Sequence, residues 1–561
     1  MTAERPDQLL NQTGGEFGLI KRTPSAYSYP LLIKHLLHTP LATNPEQEIV
    51  YRDLKRYDYR TLRCRIGQLA NGLEGLGVGP GDTVAVMDWD SHRYLECYFA
   101  VPMMGVVLQM VNVRLSPEQI LYTINHAEAD VLLVHTDFLP VLEEIKDRLE
   151  TAKMLVLLAD GDDRPETSLE ILTEYEELLD ASSAEYDFPD FDENTRATTF
   201  YTTGTTGRPK GVYFSHRQLV LHTLAGLAGL GISAVQGRFH RADVYMPITP
   251  MFHVHAWGKP YIATVAGVKQ VYPGQYDPDV LLELIEKEKV TFSHCVPTVL
   301  HMLLDSAENR DVDLSGWKVV VGGSALPKGM ARAALERGID IFGGYGMSET
   351  CPLLTVAQLT PEMLEDDDEE QLEIRTKSGR PIPLVDLRVV DEEMNDVPHG
   401  GEATGEVVVR SPWLTQGYLK EPEKSEELWE GGYLHTEDIG YIDEQGYLQV
   451  TDRIKDVIKT GGEWVSSQEI EDILSQHEGV SEAAVIGVED EKWGERPLAL
   501  VALDSDNEVT EDEIKAYVKE RADGGEISKF AVPDTVRFVE EIDKTSVGKI
   551  DKKTLREKYA E

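Results

Sequence analysis

Thr202-Thr203-Gly204-Thr205-Thr206-Gly207-Arg208-Pro209-Lys210-Gly211 is the stretch that decides how the rest of this 561-residue chain is read. Residues 197–201 before it (ATTFY) are β-branched and aromatic, the composition of a buried strand. Residues 212–214 after it (VYF) resume an extended run, and Ser215 with Gln218 makes a capping box for a helix running to about residue 227. Between these flanks lie four threonines, three glycines and two cations. Glycine lets the backbone approach an anion closely, amides and hydroxyls donate hydrogen bonds, and Lys210 and Arg208 neutralise charge, so the stretch reads as a phosphate cradle. It is not a Walker A loop, because Lys210 is followed by Gly211 and not by Ser or Thr. A Thr/Gly hairpin loop without function has a similar composition; the length of the pattern between structured flanks favours the cradle.

A chain of this length holds more than one domain. Apolar residues make up 41%, no run of 18 apolar residues occurs, and the start has no charged-then-apolar signal pattern, so a cytoplasmic protein without a transmembrane segment is expected. The four cysteines are scattered with no CxxC, which implies neither a zinc site nor a disulfide framework. Acidic residues number 99 against 54 basic ones, a net charge of −45. Such a surface repels nucleic acid and anionic membranes. The excess is spread along the chain beside regular apolar periodicity, which argues against disorder and for a fold adapted to high salt, where repulsion is screened over ~3 Å.

From residue 59 onward helix and strand alternate. Residues 59–76, 92–104 and 116–127 read as helices, and 83–87, 106–111 and 130–135 as strands. A second series follows the cradle: strands 268–272, 290–296, 318–321 and 339–342, with helices 278–287, 297–306 and 327–337 between them. The fold class expected is therefore α/β with largely parallel sheets. A large N-terminal domain (1–452) would hold two α/β subdomains and, from residue 381, a small β-barrel-like unit. A hinge (453–456) would lead to a small mobile α+β C-terminal domain (457–561), with helices near 467–476 and 511–521.

Five further constellations carry chemistry. His253 and His255 lie two residues apart in PMFHVHAW, on one face if the segment is extended, and read as a pocket wall or as a core strand. Gly322-Gly323-Ser324-Ala325 follows a strand and opens a helix, a place for a ligand against backbone. Gly343-Gly344-Tyr345-Gly346-Met-Ser-Glu349-Thr350 is read in the same way, with Tyr345 as a flat face for a base and Glu349 as a hard oxygen ligand for Mg²⁺. Asp438 in YLHTEDIG suits a ribose diol, with Arg453 close behind it, and Lys549 in KTSVGKIDK is a lone lysine on a Gly-containing loop able to deliver charge to a reacting phosphate. Ordinary turns and a solvated lysine cluster are the plainer readings of these last two.

Taken together, YTTGTTGRPKGV, PMFHVHAW, GGYGMSET, GEVVVR, YLHTEDIG, DRIKDVIKTGGEWVSSQEIE and KTSVGKIDK resemble the adenylate-forming superfamily over residues 27–553, and within it the medium- and long-chain fatty acyl-CoA synthetases. The resemblance implies an enzyme, an AMP-forming acid–thiol ligase, using a fatty acid, ATP, Mg²⁺ and CoA, and a homodimer. Thr202 to Lys210 would hold the β- and γ-phosphates, Glu349 with a loop threonine such as Thr202 the metal, and Tyr345, flanked by Gly344, Gly346 and Thr350, the adenine. Asp438 and Arg453 would grip the ribose, and Lys549 would contact the carboxylate and α-phosphate. The C-terminal domain would then turn about Lys455, bringing Lys459, Gly461 and Gly462 to the CoA side. Trp257 matches the gate of the acyl tunnel, with Gly322, His253 and His255 around it. Arg208 stands where leucine is frequent. Lys259, where an apolar residue is usual, bears on the length and polarity of the acyl chain. The same chemistry on an aryl or methylthio-alkanoic acid, or a nucleotide-binding switch without ligase activity, are the alternatives.

Overall fold

A computed structural model describes residues 20–161, 164–202, 208–308, 310, 312–401, 403–460, 463–490, 492–503, 509–524 and 527–560. Of the residues singled out above, Thr203, Gly204, Thr205, Thr206, Gly207, Gly461 and Gly462 lie outside them.

Two large sheets carry the N-terminal part. The first runs Ile171–Glu174, Met154–Leu158, Val131–His135, Thr83–Met87, Val107–Met110, Arg196–Thr202, Lys210–Ser215. Every neighbouring pair is parallel except the last. Its central strand Thr83–Met87 is buried at every position, as expected of a strand covered on both faces. The second sheet has nine strands, with Lys318–Val321, Phe292–Cys295, Val244–Tyr245 and Lys269–Tyr272 forming its parallel centre. Apolar side chains of both sheets, among them Val84, Leu108 and Phe200 from one and Phe292, Val320 and Phe342 from the other, merge into one core.

The two subdomains are not successive along the chain. The strands Glu48–Tyr51 and Lys55–Asp58, before the first α/β series, join the edge of the second sheet, with Glu48–Tyr51 parallel to Lys269–Tyr272. The expected alternation beginning at residue 59 leaves them out, since a four-residue strand that pairs across more than 200 positions has no local signature.

Capping explains where the helices begin. Ser116 with Gln119, Ser215 with Gln218 and Thr510 with Glu513 each form a reciprocal box at Pro117–Ala127, His216–Gly231 and Glu511–Asp523. Past residue 381 the expected barrel-like unit is a four-stranded antiparallel meander: Asp386–Val390, Gly405–Arg410, Leu434–Ile442, Leu448–Arg453. A five-stranded sheet centred on the long hairpin Val480–Asp490 and Gly494–Leu503 forms the C-terminal unit with its own small cores.

Candidate active site

The two described ends of the cradle belong to paired strands. Arg196–Thr202 and Lys210–Ser215 pair antiparallel, with Thr202 opposite Lys210 and Tyr201 opposite Gly211. Gly211 has no room for a side chain: a Cβ there would lie 3.1 Å from Leu419 and 3.2 Å from the Tyr201 ring. The reason is the segment around Tyr418, which bridges to Val212 and whose Leu419 amide donates to the Gly211 carbonyl at 2.8 Å. Tyr418 in turn lies 4.4 Å under the Lys210 ammonium and donates from its hydroxyl to Glu349 Oε1 at 2.8 Å. Lys210, Tyr418 and Glu349 thus stand in one line leading from the cradle. Sequence reasoning missed Tyr418, which sits in an aperiodic loop and carries no motif. Arg208 leans instead over Tyr122, 5.2 Å away.

Glu349 is buried in the short turn Ser348–Thr350, and its carbonyl is fixed by the Thr415 amide. Thr350 is fully buried, and its hydroxyl is used within the same turn, accepting from the Met347 amide and donating to the Pro352 carbonyl. The expected turn after residue 341 needs correction. The strand continues through Asp340–Gly346, so Gly344, Tyr345 and Gly346 are strand residues paired with Leu353–Val356. Their glycines serve close packing: a Cβ on Gly346 would sit 1.9 Å from the Pro352 carbonyl oxygen. Likewise, the segment Gly322, Gly323, Ser324, Ala325 is a loop, since the helix after it starts only at Lys328. Ser324 and Ala325 are exposed.

Tyr345, Asp438 and Arg453 come together from three strands. The Tyr345 hydroxyl donates to Asp438 Oδ2 at 2.7 Å and Arg453 Nε to Oδ1 at 3.1 Å, while Asp438 and Arg453 are register partners in the meander. Burial raises the Asp438 pKa against the pull of Arg453. Lys549 completes the cluster from the C-terminal unit. A Cβ on Gly323 would lie 3.1 Å from Lys549 Cε, so the absence of a side chain there makes room for the lysine. Burial and the neighbouring Arg453 lower the Lys549 pKa to about 8, while Asp438 and Glu349 work in the opposite direction. The loop that carries it is docked on the N-terminal sheets: Thr298 donates to the Gly548 carbonyl at 2.6 Å and Asn112 to the Ser546 hydroxyl at 3.1 Å. Neither Thr298 nor Asn112 announces itself in the sequence.

PMFHVHAW is not extended, so the two histidines do not share a face. Val254, His255, Ala256 and Trp257 all adopt left-handed φ values between 46° and 57°, followed by Gly258 at 67°. A β-branched residue in that region is a strained outlier, and such strain gathers at functional sites. His253 faces the cluster: burial and the charges of Lys549 and Arg114 drop its pKa to about 3, so it is neutral. His255 points into the core, sharing a 2.8 Å hydrogen bond with Thr198 between Phe200 and Phe214. Trp257 packs at 5.1 Å against His294, and its ring edge would be 3.2 Å from a Cβ on Gly322. Gly322 and Trp257 therefore form one wall next to Gly323 and Lys549.

Beyond Arg453 the chain turns through 454–456 into Ile458–Thr460. Lys455 is exposed on that turn, and its carbonyl accepts from Arg556 at 3.4 Å. Lys459 is exposed on the C-terminal sheet, its amide bonded to Glu495. Among the described residues there is no cluster of three or more His, Cys, Asp or Glu that could hold a metal, and no helix long and apolar enough to cross a membrane.

Residues 37–419 match the family described as AMP-binding enzyme, and residues 469–549 the AMP-binding enzyme C-terminal domain. The chain is 42% identical over 521 residues to a long-chain-fatty-acid–CoA ligase of Thermus thermophilus, covering 91% of this chain and 93% of that one. It is 37% identical over 539 residues to a 3-methylmercaptopropionyl-CoA ligase of Ruegeria lacuscaerulensis, covering 94% and 97%. ATP-bound MatB from Rhodopseudomonas palustris superposes with a TM-score of 0.80 at 26% identity, over 95% of this chain and 99% of that one. The chain belongs to the AMP-binding enzymes of the adenylate-forming superfamily: it is an AMP-forming acid–thiol ligase that takes ATP and CoA as substrates in a two-step acyl-CoA ligation.

Proposed function

We propose that the acid is a medium- or long-chain fatty acid, activated in the cleft between the Lys210–Tyr418–Glu349 line and the Gly322–Trp257 wall. The fatty-acid reading is supported by the 42% identity to a long-chain-fatty-acid–CoA ligase, and the activation chemistry by the seating of Lys549 against Gly323, which sets a cation where a carboxylate held by the wall would meet the α-phosphate. A carboxylate and a phosphate repel each other, and a fixed cation between them stabilises the charge that develops as pyrophosphate leaves. Thr202 and Lys210 hold the outer phosphates, Tyr345 covers the adenine, and Asp438 with Arg453 takes the ribose. Glu349 fits as a hard oxygen ligand, with one oxygen engaged by Tyr418 and the other without a hydrogen bond among the described residues, and a Mg²⁺ there would neutralise phosphate charge.

In the second step Lys549 must leave, because the thiol of CoA attacks the same carbonyl. The unit 457–561 turns about the 453–456 joint at Lys455, bringing its other face, with Lys459, to the acyl-adenylate. We further assign the protein as a homodimer that works in the cytoplasm.

A methylthio-alkanoic acid is the second reading, favoured by the Ruegeria relative. Release of AMP and formation of thioester, measured over straight-chain, aryl and methylthio acids, separate the two. Highest kcat/KM with straight-chain fatty acids is expected; highest with an aryl or methylthio acid overturns the fatty-acid assignment. Acid-independent release of phosphate would point to a nucleotide switch.

A further inference from the structure

Lys259 follows the Trp257–Gly258 turn and opens the helix Lys259–Ala266. It is only 2% exposed, and its ammonium nitrogen has no hydrogen-bond partner among the described residues. Buried polar groups are almost always paired, so an orphaned buried lysine calls for an explanation. Its position makes the charge harder still to hold, since the first turn of a helix is the positive end of the dipole.

The lysine packs with Leu230, Phe239, Tyr245, Ile262 and Phe292 around a narrow crevice that has no room for a water molecule. Every other lining group is apolar or aromatic. The charged or titratable neighbours are His222, His294 and Tyr245. Burial and Lys259 hold both histidines well below their usual pKa, so they bring no negative charge. The Tyr245 hydroxyl is engaged with His294 Nε2 at 2.8 Å, and the other ring nitrogen of His294 is unpaired. Trp257 packs on the same His294 and touches Gly322 on its other side. The order is therefore Lys549, Gly323, Gly322, Trp257, His294, Tyr245, and then the crevice with Lys259. From the reacting end, the crevice lies behind the tryptophan.

We propose that Lys259 marks the far end of the acyl pocket and selects acids carrying an oxygen acceptor, a carboxylate above all, at the end opposite the carboxyl that is activated. The proposal rests on the reading of the Gly322–Trp257 wall as the acyl site. A methyl-ended chain leaves the amine unpaired, whereas a terminal hydroxyl gives it a hydrogen bond and a terminal carboxylate gives it an ion pair. Most of the desolvation cost of the lysine is already met by the fold, which favours the pair over the usual balance for a buried charge. The crevice is closed as it stands, so an acyl end enters only if the side chains packed around Lys259 part. A site built to hydrogen-bond a substrate group rejects the analogue that lacks it.

The test uses the full-length enzyme and sets of straight-chain acids of equal carbon count ending in methyl, hydroxymethyl or carboxylate. AMP release gives kcat/KM for each acid in the wild type, in Lys259→Met and in Lys259→Gln. At the length that reaches the crevice, the wild type is expected to favour an oxygen-ended acid over its methyl-ended partner at least ~10-fold. Lys259→Met reverses that order, and Lys259→Gln keeps the hydroxyl preference while losing the carboxylate one. In both variants KM for ATP stays within ~2-fold, since the crevice is remote from the cradle. A wild type that favours the methyl end at every length overturns the proposal while leaving the acyl-site reading intact. An unchanged ratio in Lys259→Met overturns it too. Should the variants not fold, the wild-type ratios alone decide. If no acid in any set drives AMP release, the acyl-site reading falls and this inference with it.

Discussion

Lys549 and Lys259 stand at opposite ends of the same wall, and they differ in what faces them. Lys549 is half-buried, with Asp438 and Glu349 among its neighbours, and its pKa falls only to about 8. Lys259 is enclosed by aromatic and aliphatic groups with no carboxylate to offset burial, and its pKa falls to about 7. A lysine that must carry charge through a reaction keeps acidic company. Lys259 has no hydrogen-bond partner among the described residues, and the fold bears the cost.

The largest effect expected tests the first half of that contrast. Lys549→Ala should lower acid-dependent pyrophosphate exchange by ~10³-fold, a loss in the range of removing a preorganised charge-stabilising group. Conversion of supplied acyl-adenylate and CoA to thioester should change only ~2-fold, because that step follows departure of Lys549. Lys455→Pro, which fixes φ near −65° in the joint, should show the crossed pattern: thioester formation down ~10-fold with exchange nearly kept. Equal losses in both half-reactions in both variants, with the fold intact, would contradict the two-position scheme.

The second half predicts a stability gain. The native pKa of Lys259 lies below its ordinary 10.5, so between about 7 and 10.5 the unfolded chain holds the extra proton and wild-type stability rises with pH across that window. Lys259→Met removes the buried amine and should stabilise the protein by ~2 kcal/mol below about pH 7, the gain shrinking as pH rises toward 10. Denaturant midpoints of both proteins at two pH values measure this. A gain that grows with pH would mean that Lys259 has a partner.

The smallest effect separates buried from surface charge. With a net charge of −45, unfolding midpoints should rise by a few degrees, ~5 °C, as KCl goes from dilute to molar, because screening relieves surface repulsion. The Lys259→Met difference should stay constant over the same range, since salt does not reach the crevice. A flat or falling wild-type curve would remove the case for a salt-adapted fold.

Local signals were enough for much of this molecule. The strand over residues 83–87, the strand over 318–321 and the capping box at Ser215 and Gln218 appear in the structure as expected, because each depends on a few adjacent side chains. The motifs that place this chain in its family are equally local, each being a backbone and charge pattern along one continuous stretch. Other features required distant segments to meet. The strand Glu48–Tyr51 crosses to the second sheet, Tyr418 arrives between Lys210 and Glu349, and the glycines of Asp340–Gly346 admit a neighbouring backbone instead of making a turn.

Sequence alone determined the inventory of charged groups and the motifs that resemble the family, and through that resemblance the two-step ligase chemistry, since motifs follow from which residues stand near each other along the chain. Tertiary structure decided which way each of them faces. The left-handed turn at residues 254–257 sends His253 toward Lys549 and His255 into the core, and Lys259 after it has no hydrogen-bond partner among the described residues. No periodicity encodes that outcome, because a left-handed run of non-glycine residues is locally unfavourable and persists only when the packing around it fixes it in place.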